Sequence, residues 1–432
     1  MTLRRNALVG WTNTTRRDFV KGAATAAAVA VAARPRVAHA SARSLGANDR
    51  IGVGVIGCGG RGRDHLGMLA SLRDAGALLD IVAVCDVYRP RLKNAAEKHK
   101  AKPYADHREL LADPRVDVVC IATPDHIHGQ QVIDAVRAGK DVYCEKPVTH
   151  WRQFELTRRM ADEVAKSGRM FQLGAQGMSD SAWHQARQLI ADGLIGQPIH
   201  AECGYFRVGD WGERGMPVDD PNARPGSDLN WEAFLGDAPT RPFDVSRFFR
   251  WRMYEDYSGG PATDLYPHSL TPVLYMLGLK FPSTVAATGG KFRYSDREVP
   301  DTFNLLIDYP EKITVAVLGT QGNDHFGTGE RGSPGRCPVI RGWDGTLTFV
   351  GAEIVFTPTH GSKNAARRFP IEHGQDQLAY WRTLLEACRT RRQPASSAEL
   401  ALYVQTPLQM GVLGWREGKV ARFDAGKKGI VL

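Results

Sequence analysis

Three places in this 432-residue chain hold residue types whose spacing points to chemistry. The first is Gly57-Cys58-Gly59-Gly60-Arg61-Gly62, a G-x-G-x-x-G run set directly after the apolar stretch IGVGVI and at the start of a helical pattern. In that context Gly57 permits a tight turn and Gly59 lets the backbone approach a pyrophosphate. Gly62 lets helix and strand pack closely, and the helix N-terminus then faces the phosphates. Asp86 follows Gly62 by 24 residues, at the end of the next apolar run. A carboxylate there accepts hydrogen bonds from a ribose diol and repels a 2′-phosphate, which favours NAD over NADP. Arg89 and Arg91 pull the other way, since either can bind a phosphate, and NADP stays open.

The second place is Glu145-Lys146-Pro147, at the end of the apolar run DVYCE. A lysine at the carboxyl end of a parallel strand stands where open α/β sheets bind ligands. Desolvation beside a cofactor brings such an amine toward the range of acid–base work. The third place pairs Asp264 with His268, four residues apart, so that a helix sets both on one face. Taking a hydride from a carbinol carbon needs a base for the hydroxyl proton, and imidazole titrates in the right range. A helix-capping Asp264 and a buried His268 would fit the same spacing, and Pro272 should kink any helix that starts near 264. Trp251-Arg252 offers an aromatic platform and a guanidinium to a sugar, although a packing tryptophan and a solvated arginine fit equally. His, Asp and Glu residues do not cluster at metal-ligand spacing, so no metal is expected. A G-x-S-x-G nucleophile elbow is absent as well.

The elements that must position these groups fall into two grammars. From Ile51, buried-type strands alternate with helices: IGVGVIG, IVAVCD, DVVCIA, DVYCE and MFQLG, with helices between them. Asp106-His107-Arg108-Glu109 reads as a capping box opening one of these helices. Such alternation implies a doubly wound parallel sheet, an α/β Rossmann domain over residues 50–174. Past about residue 175 come a helix (181–192), Gly- and Pro-rich polar stretches and a further helix from about 264. Successive strand candidates follow: TVAATGGKF, DTFNLLIDY, ITVAVLGT, GTLTFV and EIVFTP. Strands in succession predict an α+β domain over residues 175–424 with an open, largely antiparallel sheet and C-terminal helices. The stretch GNDHFGTGERGSPGRCP reads as a mobile surface loop.

Residues 1–40 read as an export leader. Arg16-Arg17 precedes an apolar run, Gly22–Ala33, too short to span a bilayer, and Ala38-His39-Ala40 supplies an A-x-A cleavage pattern. The order resembles the bacterial twin-arginine route for folded cargo, which makes that translocation machinery a partner and the periplasm or exterior the destination. The leader also carries most of the net charge of +9: without its seven bases and one acid, 49 bases face 46 acids, which gives no support to a nucleic-acid surface. Seven cysteines form no C-x-x-C pair, and Cys58, Cys85, Cys120 and Cys144 sit at the ends of core strands. Small buried hydrophobes are expected there, in a chain that folds in a reducing compartment before it leaves.

Taken in order, GCGGRG, ATPDHIH (Ala122–His128), CEKP (Cys144–Pro147) and GGxxxDxxxH (Gly259–His268) are similar to the motifs of the Gfo/Idh/MocA family, which includes glucose-fructose oxidoreductase and inositol dehydrogenase. The chain resembles that family from about Arg50 to Asp424. The resemblance implies a cofactor-binding turn at Gly57, Gly59, Gly60, Arg61 and Gly62, Lys146 in the active site behind a cis Lys146–Pro147 bond, and Glu145 near the nicotinamide. It further implies His268 as acid/base, Asp264 as the partner that orients substrate, Thr123 and Pro124 along the nicotinamide ribose, and His128 close by near the substrate. His126 and Asp125 fit a loop role as well. An open sheet in this family commonly joins subunits, which implies a homo-oligomer, dimer or tetramer. One departure is Tyr266, where the family pattern D-x-G-x-H has glycine. With Pro267 and His268 it is similar to a Tyr-Pro-His segment of NAD-dependent glycosidases, which makes Tyr266 a candidate substrate contact.

The expected activity is therefore an exported NAD(P)-dependent oxidoreductase acting on a sugar or polyol hydroxyl with a tightly held cofactor. Free NAD is scarce outside the cytoplasm, so the dinucleotide must be acquired before export and regenerated in place. A redox-neutral glycosidase with a catalytic nicotinamide satisfies the same constraint. A non-catalytic binding protein is a third reading.

Overall fold

The computed structural model describes residues 46, 49–210, 212–325 and 338–432. The leader and most of the loop read at 322–338 lie outside the described residues. The first sheet takes β1 (Ile51–Ile56), β2 (Leu79–Cys85), β3 (Lys102–Tyr104), β4 (Val118–Ile121), β5 (Asp141–Glu145) and β6 (Phe171–Gly174). They pair in parallel in the order β3-β2-β1-β4-β5-β6. The intervening helices are α1 (Gly60–Asp74), α2 (Arg89–His99), α3 (His107–Ala112), α4 (Asp125–Arg137) and α5 (Phe154–Ser167). Every residue of β1, β4 and β5 is buried, as strands covered by helices on both faces must be. The strand order reverses between β1 and β4, which opens a crevice at the carboxyl ends of both.

After α6 (Ser181–Ala191) the chain forms β7 (Pro198–Val208), the short helices α7 (Trp231–Leu235), α8 (Val245–Phe249) and α9 (Pro261–Asp264), and then α10 (Tyr266–Leu277). The strands β8 (Thr284–Gly290), β9 (Thr302–Tyr309), β10 (Ile313–Thr320), β11 (Gly322–Asn323), β12 (Val339–Gly342), β13 (Gly345–Val350), β14 (Glu353–Pro358) and β15 (Arg367–Pro370) follow. α11 (Gln377–Thr390), α12 (Ala398–Glu417), β16 (Ala421–Asp424) and β17 (Gly429–Val431) complete the chain. The second sheet has 11 strands in the order β15-β14-β13-β12-β7-β10-β9-β8-β16-β17, with β11 beside β7. Only β7 and β10 run parallel, so the sheet is mixed and mostly antiparallel.

Two expectations change. The stretch read as polar connection contains β7, a central strand whose inward positions include Ala201, Cys203 and Arg207 rather than large apolar residues. Asp264 and His268 do not share one helix: α9 ends at Asp264, Leu265 intervenes, and α10 runs on through Pro272 to Leu277. Pro272 withdraws the N–H that the His268 carbonyl would accept, yet α10 continues past it, with the Thr271 hydroxyl donating to the Pro267 carbonyl at 2.5 Å.

Helix α12 joins the two sheets. It packs on β8, α5 and α10, while Gln405 and Gln409 donate to the Thr149 carbonyl (3.0 Å) and hydroxyl (3.1 Å). Those bonds fix the chain just beyond Pro147. The outer face of β9 and β10 carries exposed apolar side chains, with Leu306 62% exposed.

Candidate active site

The glycine turn joins β1 to α1 as its sequence requires. Gly57 has φ +90°, and a Cβ on Gly62 would lie 1.8 Å from the Gly57 carbonyl oxygen, so only glycine permits this approach of helix to strand. No side chain caps α1 and its first turn holds no acid. Its first N–H groups are thus left for an anion. Nothing stands within 4 Å of where a Cβ on Gly60 would be, so the outer side of the turn is open. Asp86, just past β2, accepts from the Cys58 N–H (2.7 Å) and the Tyr88 N–H (2.8 Å). Burial pushes its pKa up, against the Arg91 charge and these two bonds. A carboxylate has about four acceptor positions, so two remain for a diol. Uncapped helix, open turn and backbone-held carboxylate together fit a dinucleotide. The two arginines that left NADP open are both answered by acids: Arg91 Nε meets Asp219 at 2.5 Å, and Arg89 stands 3.7 Å from Asp228.

At the end of β5, Glu145 is bound from two sides. Arg61 Nε donates to its Oε1 at 2.8 Å, and His65 Nε2 lies 2.8 Å from the same oxygen. Trp381 Nε1–H, which can only donate, reaches His65 Nδ1 at 3.0 Å. Nδ1 is therefore bare, and the proton sits on Nε2 toward Glu145. Burial opposes ionisation of Glu145, but Arg61 and His65 outweigh it and hold the carboxyl well below the usual range. Arg61 also reaches Gln377 at 3.1 Å, and Gln377, Asp376 and Asp64 help line an open cavity of about 550 Å³ beside the turn.

Lys146 follows, across a cis bond to Pro147. Its ammonium donates to the Asp264 carbonyl at 2.5 Å and to Asp264 Oδ1 at 2.8 Å. Arg252 Nε donates to the same Oδ1 at 3.1 Å while its guanidinium lies 4.3 Å above the Trp251 ring. Burial again opposes the charge on Asp264, and Lys146 with Arg252 outweighs it, so Asp264 is a firm carboxylate. His268 feels the same group: burial, then the Lys146 charge, pushes its pKa down to about 3, which leaves a neutral imidazole. Among the described residues its ring nitrogens have no hydrogen-bond partner, and its nearest ring neighbour is Tyr205 at 6.3 Å. The break at Leu265 thus still brings Lys146, Asp264, Arg252 and His268 into one cluster.

Other predicted residues are placed differently. Tyr266 is a correction: its ring is fully buried and its hydroxyl donates to the Phe303 carbonyl, so it faces the core rather than a substrate. Trp251 is buried and serves as the support under Arg252. His128 ties two loops together, with Nδ1 2.7 Å from the Pro147 carbonyl and Nε2 2.6 Å from the Thr123 carbonyl. Thr123 and Pro124 stand partly exposed between β4 and α4, and the Thr123 hydroxyl donates to Gln131. His126 donates from Nε2 to the Phe234 carbonyl at 2.7 Å, and burial pushes its pKa down to about 4.

Asp125, which ATPDHIH displays and which fitted a loop role in the sequence, is the first residue of α4. It is buried, its Oδ2 has no partner among the described residues, and burial pushes its pKa up to about 8. Sequence reasoning missed His65 and Trp381, and no spacing signal links two residues 316 apart.

A parallel sheet with an open glycine turn and, at the end of its β5, a lysine ion-paired to helices of a second domain built on a mixed sheet define a two-domain dinucleotide-type enzyme fold. Residues 51–175 match the family described as "Oxidoreductase family, NAD-binding Rossmann fold", and residues 180–296 match its "C-terminal alpha/beta domain". The chain belongs to this Gfo/Idh/MocA oxidoreductase family. It is 34% identical over 157 residues to the inositol 2-dehydrogenase of Salmonella typhimurium, covering 36% of this chain and 46% of that protein. The chain thus spans about half the length of the curated relatives it matches. Among solved structures, an oxidoreductase domain protein from Kribbella flavida superposes with TM-score 0.67 at 21% identity, over 87% of this chain and 100% of the other. Levoglucosan dehydrogenase in complex with NADH gives TM-score 0.65 at 19% identity, over 86% and 98%. At these identities the structural likeness concerns the fold.

Proposed function

We propose that the protein is an NAD-dependent oxidoreductase acting on a hydroxyl of a sugar or polyol. The observation that carries the reading is the cluster at the end of β5, where Lys146 and Asp264 form a buried ion pair beside a neutral His268 without a hydrogen-bond partner among the described residues. The glycine turn, α1 and Asp86 would hold the dinucleotide, with Glu145, Thr123 and Pro124 toward its nicotinamide end. When bound, that group accepts a hydride from the carbinol carbon. The chain's own part is to move the proton. Two of the three ammonium donors of Lys146 are engaged by Asp264, and the third is left for the substrate oxygen. His268 is neutral and its ring nitrogens have no hydrogen-bond partner among the described residues, so it is the group open to take the hydroxyl proton. Asp264 holds Lys146 charged and aimed, and Arg252 on its Trp251 platform offers hydrogen bonds to neighbouring hydroxyls. With the charges of Arg89 and Arg91 answered by acids, NAD is favoured over NADP. The relatives named for inositol and levoglucosan support cyclic polyols and sugars as the substrate class. The inward-turned Tyr266 withdraws the feature that had suggested a glycosidase.

In this reading the chain is exported through the twin-arginine route after folding around its cofactor. Arg16-Arg17, the apolar run and Ala38-His39-Ala40 support it, as do six cysteines that are all free and buried among the described residues. The exposed apolar face of β9 and β10 supports assembly with further copies. The direct test mixes NAD-loaded protein with a panel of inositols, hexoses and anhydrosugars and follows the absorbance of reduced nicotinamide. At least one polyol reduces the bound cofactor if the reading holds. No reduction by any of them, with NAD demonstrably bound, contradicts it.

A further inference from the structure

Between β7 and α9 the chain forms a lobe, residues 212–258, that has its own small core. Leu229, Trp231, Phe234, Phe248 and Phe249 pack together there, and the nucleotide domain contributes Tyr88 to the same cluster. Tyr88 stacks edge-on against Phe248 and Phe249, at 5.8 and 5.4 Å. The lobe is keyed into both loops that flank the glycine turn. On the β2–α2 side, Leu229 forms an antiparallel bridge with Tyr88, Asn230 N–H donates to the Val87 carbonyl at 3.0 Å, and Arg89 N–H donates to the Asp228 carbonyl at 2.8 Å. On the β4–α4 side, His126 donates to the Phe234 carbonyl, with its ring between Phe234 and Tyr257 at 5.6 and 5.1 Å. One further contact reaches the turn itself. Arg91, paired to Asp219 of the lobe at 2.5 Å, has a guanidinium nitrogen 2.9 Å from the place a Cβ on Gly59 would occupy, and lies 5.1 Å from the Phe249 ring.

A group seated on the glycine turn is thus flanked by two loops that a single lobe ties together. Simple exchange of a dinucleotide requires neither such a bridge nor an arginine held over the turn by an acid from the other domain. We infer that the 212–258 lobe is a clasp for the dinucleotide, with Arg91–Asp219 as its latch, and that it slows release rather than creating the binding site. The inference rests on the dinucleotide reading above. Arg91 and Asp219 act as positioning residues: the pair is about one quarter exposed, so it is screened by salt and can open.

The test measures dissociation of NADH from the whole chain by displacement with excess NAD, alongside equilibrium occupancy and thermal unfolding of the nucleotide-free protein. Asp219→Ala and Arg91→Ala should each speed release roughly twofold to fivefold, the scale of one partly exposed ion pair. Asp219→Glu should retain slow release, and the charge exchange Arg91→Asp with Asp219→Arg should restore it in part. A loss of fold alone would lower the unfolding temperature without this rescue. Unchanged release in both alanine variants, or faster release that neither rescue repairs, overturns the clasp while leaving the cofactor assignment intact. A wild-type chain that binds no dinucleotide overturns the assignment and the clasp with it.

Discussion

The Asp86 end and the Lys146 end of the cleft both depend on carboxylates, half-buried Asp86 at one and buried Asp264 and Glu145 at the other, but they are held by different partners. Asp86 is held by two backbone N–H groups, from Cys58 and Tyr88, and burial pushes its pKa up. Asp264 is held by the cations Lys146 and Arg252, and Glu145 by the Arg61 cation and the neutral His65 Nε2–H; both are driven to full ionisation. Backbone donors keep a fixed shape whatever the protonation state, which suits recognition. Ion pairs set and hold charge, which suits a place where a proton must move. The comparison predicts that changes at the two ends separate binding from turnover.

The largest effect belongs to the Lys146 end. Lys146→Ala and His268→Ala should each lower kcat by roughly 10²–10⁴-fold, the usual worth of one acid–base group, while NAD affinity stays near that of the wild type. Steady-state kinetics with parallel NAD titration reads the split, and a loss confined to NAD binding would merge the two ends. At the other end, Gly62→Ala drives a methyl group into the Gly57 carbonyl, so NAD binding should fail and stability should drop by about 1–3 kcal/mol. Calorimetric titration and thermal unfolding check both. Asp86→Asn keeps an acceptor for the backbone but removes the charge, and should shift the NADP:NAD preference about tenfold toward NADP with little change in kcat. A shift in kcat instead would show that this carboxylate also serves the chemistry.

Asp125 gives the most selective test, between the two ends. Its pKa in the fold, about 8, lies above its ordinary value of 3.8, so the folded chain holds a proton that the unfolded chain has lost. The stability this contributes is present at low pH and is lost as pH rises from about 4 through 8, by up to about 1.4 kcal/mol per unit. Asp125→Asn should lack that decline, as denaturant unfolding between pH 6 and 8 would reveal; parallel curves for both proteins would refute the buried acid.

The Rossmann half was legible because its strands are buried on both faces and read as unbroken apolar runs. The glycine turn was legible because only Gly62 fits against the Gly57 carbonyl. β7 escaped because its inward positions are Ala201, Cys203 and Arg207, which give neither an apolar run nor a clear alternation. Four-residue spacing put Asp264 and His268 on one helix, whereas the chain breaks at Leu265 and turns Tyr266 into the core. The site survived that error because Lys146 and Arg252 gather Asp264 from outside its helix. Contacts such as Trp381 with His65, or Asp219 with Arg91, join distant segments and leave no trace in local spacing.

The account's central claim is that a dinucleotide sits on the 57–62 turn. Its most direct test is to denature the purified chain, identify and count any released nucleotide, and titrate the emptied protein with NAD by calorimetry. The account predicts up to one NAD per chain in the extract and one saturable site on refilling, lost in Gly62→Ala. An empty extract together with no heat of binding would contradict it.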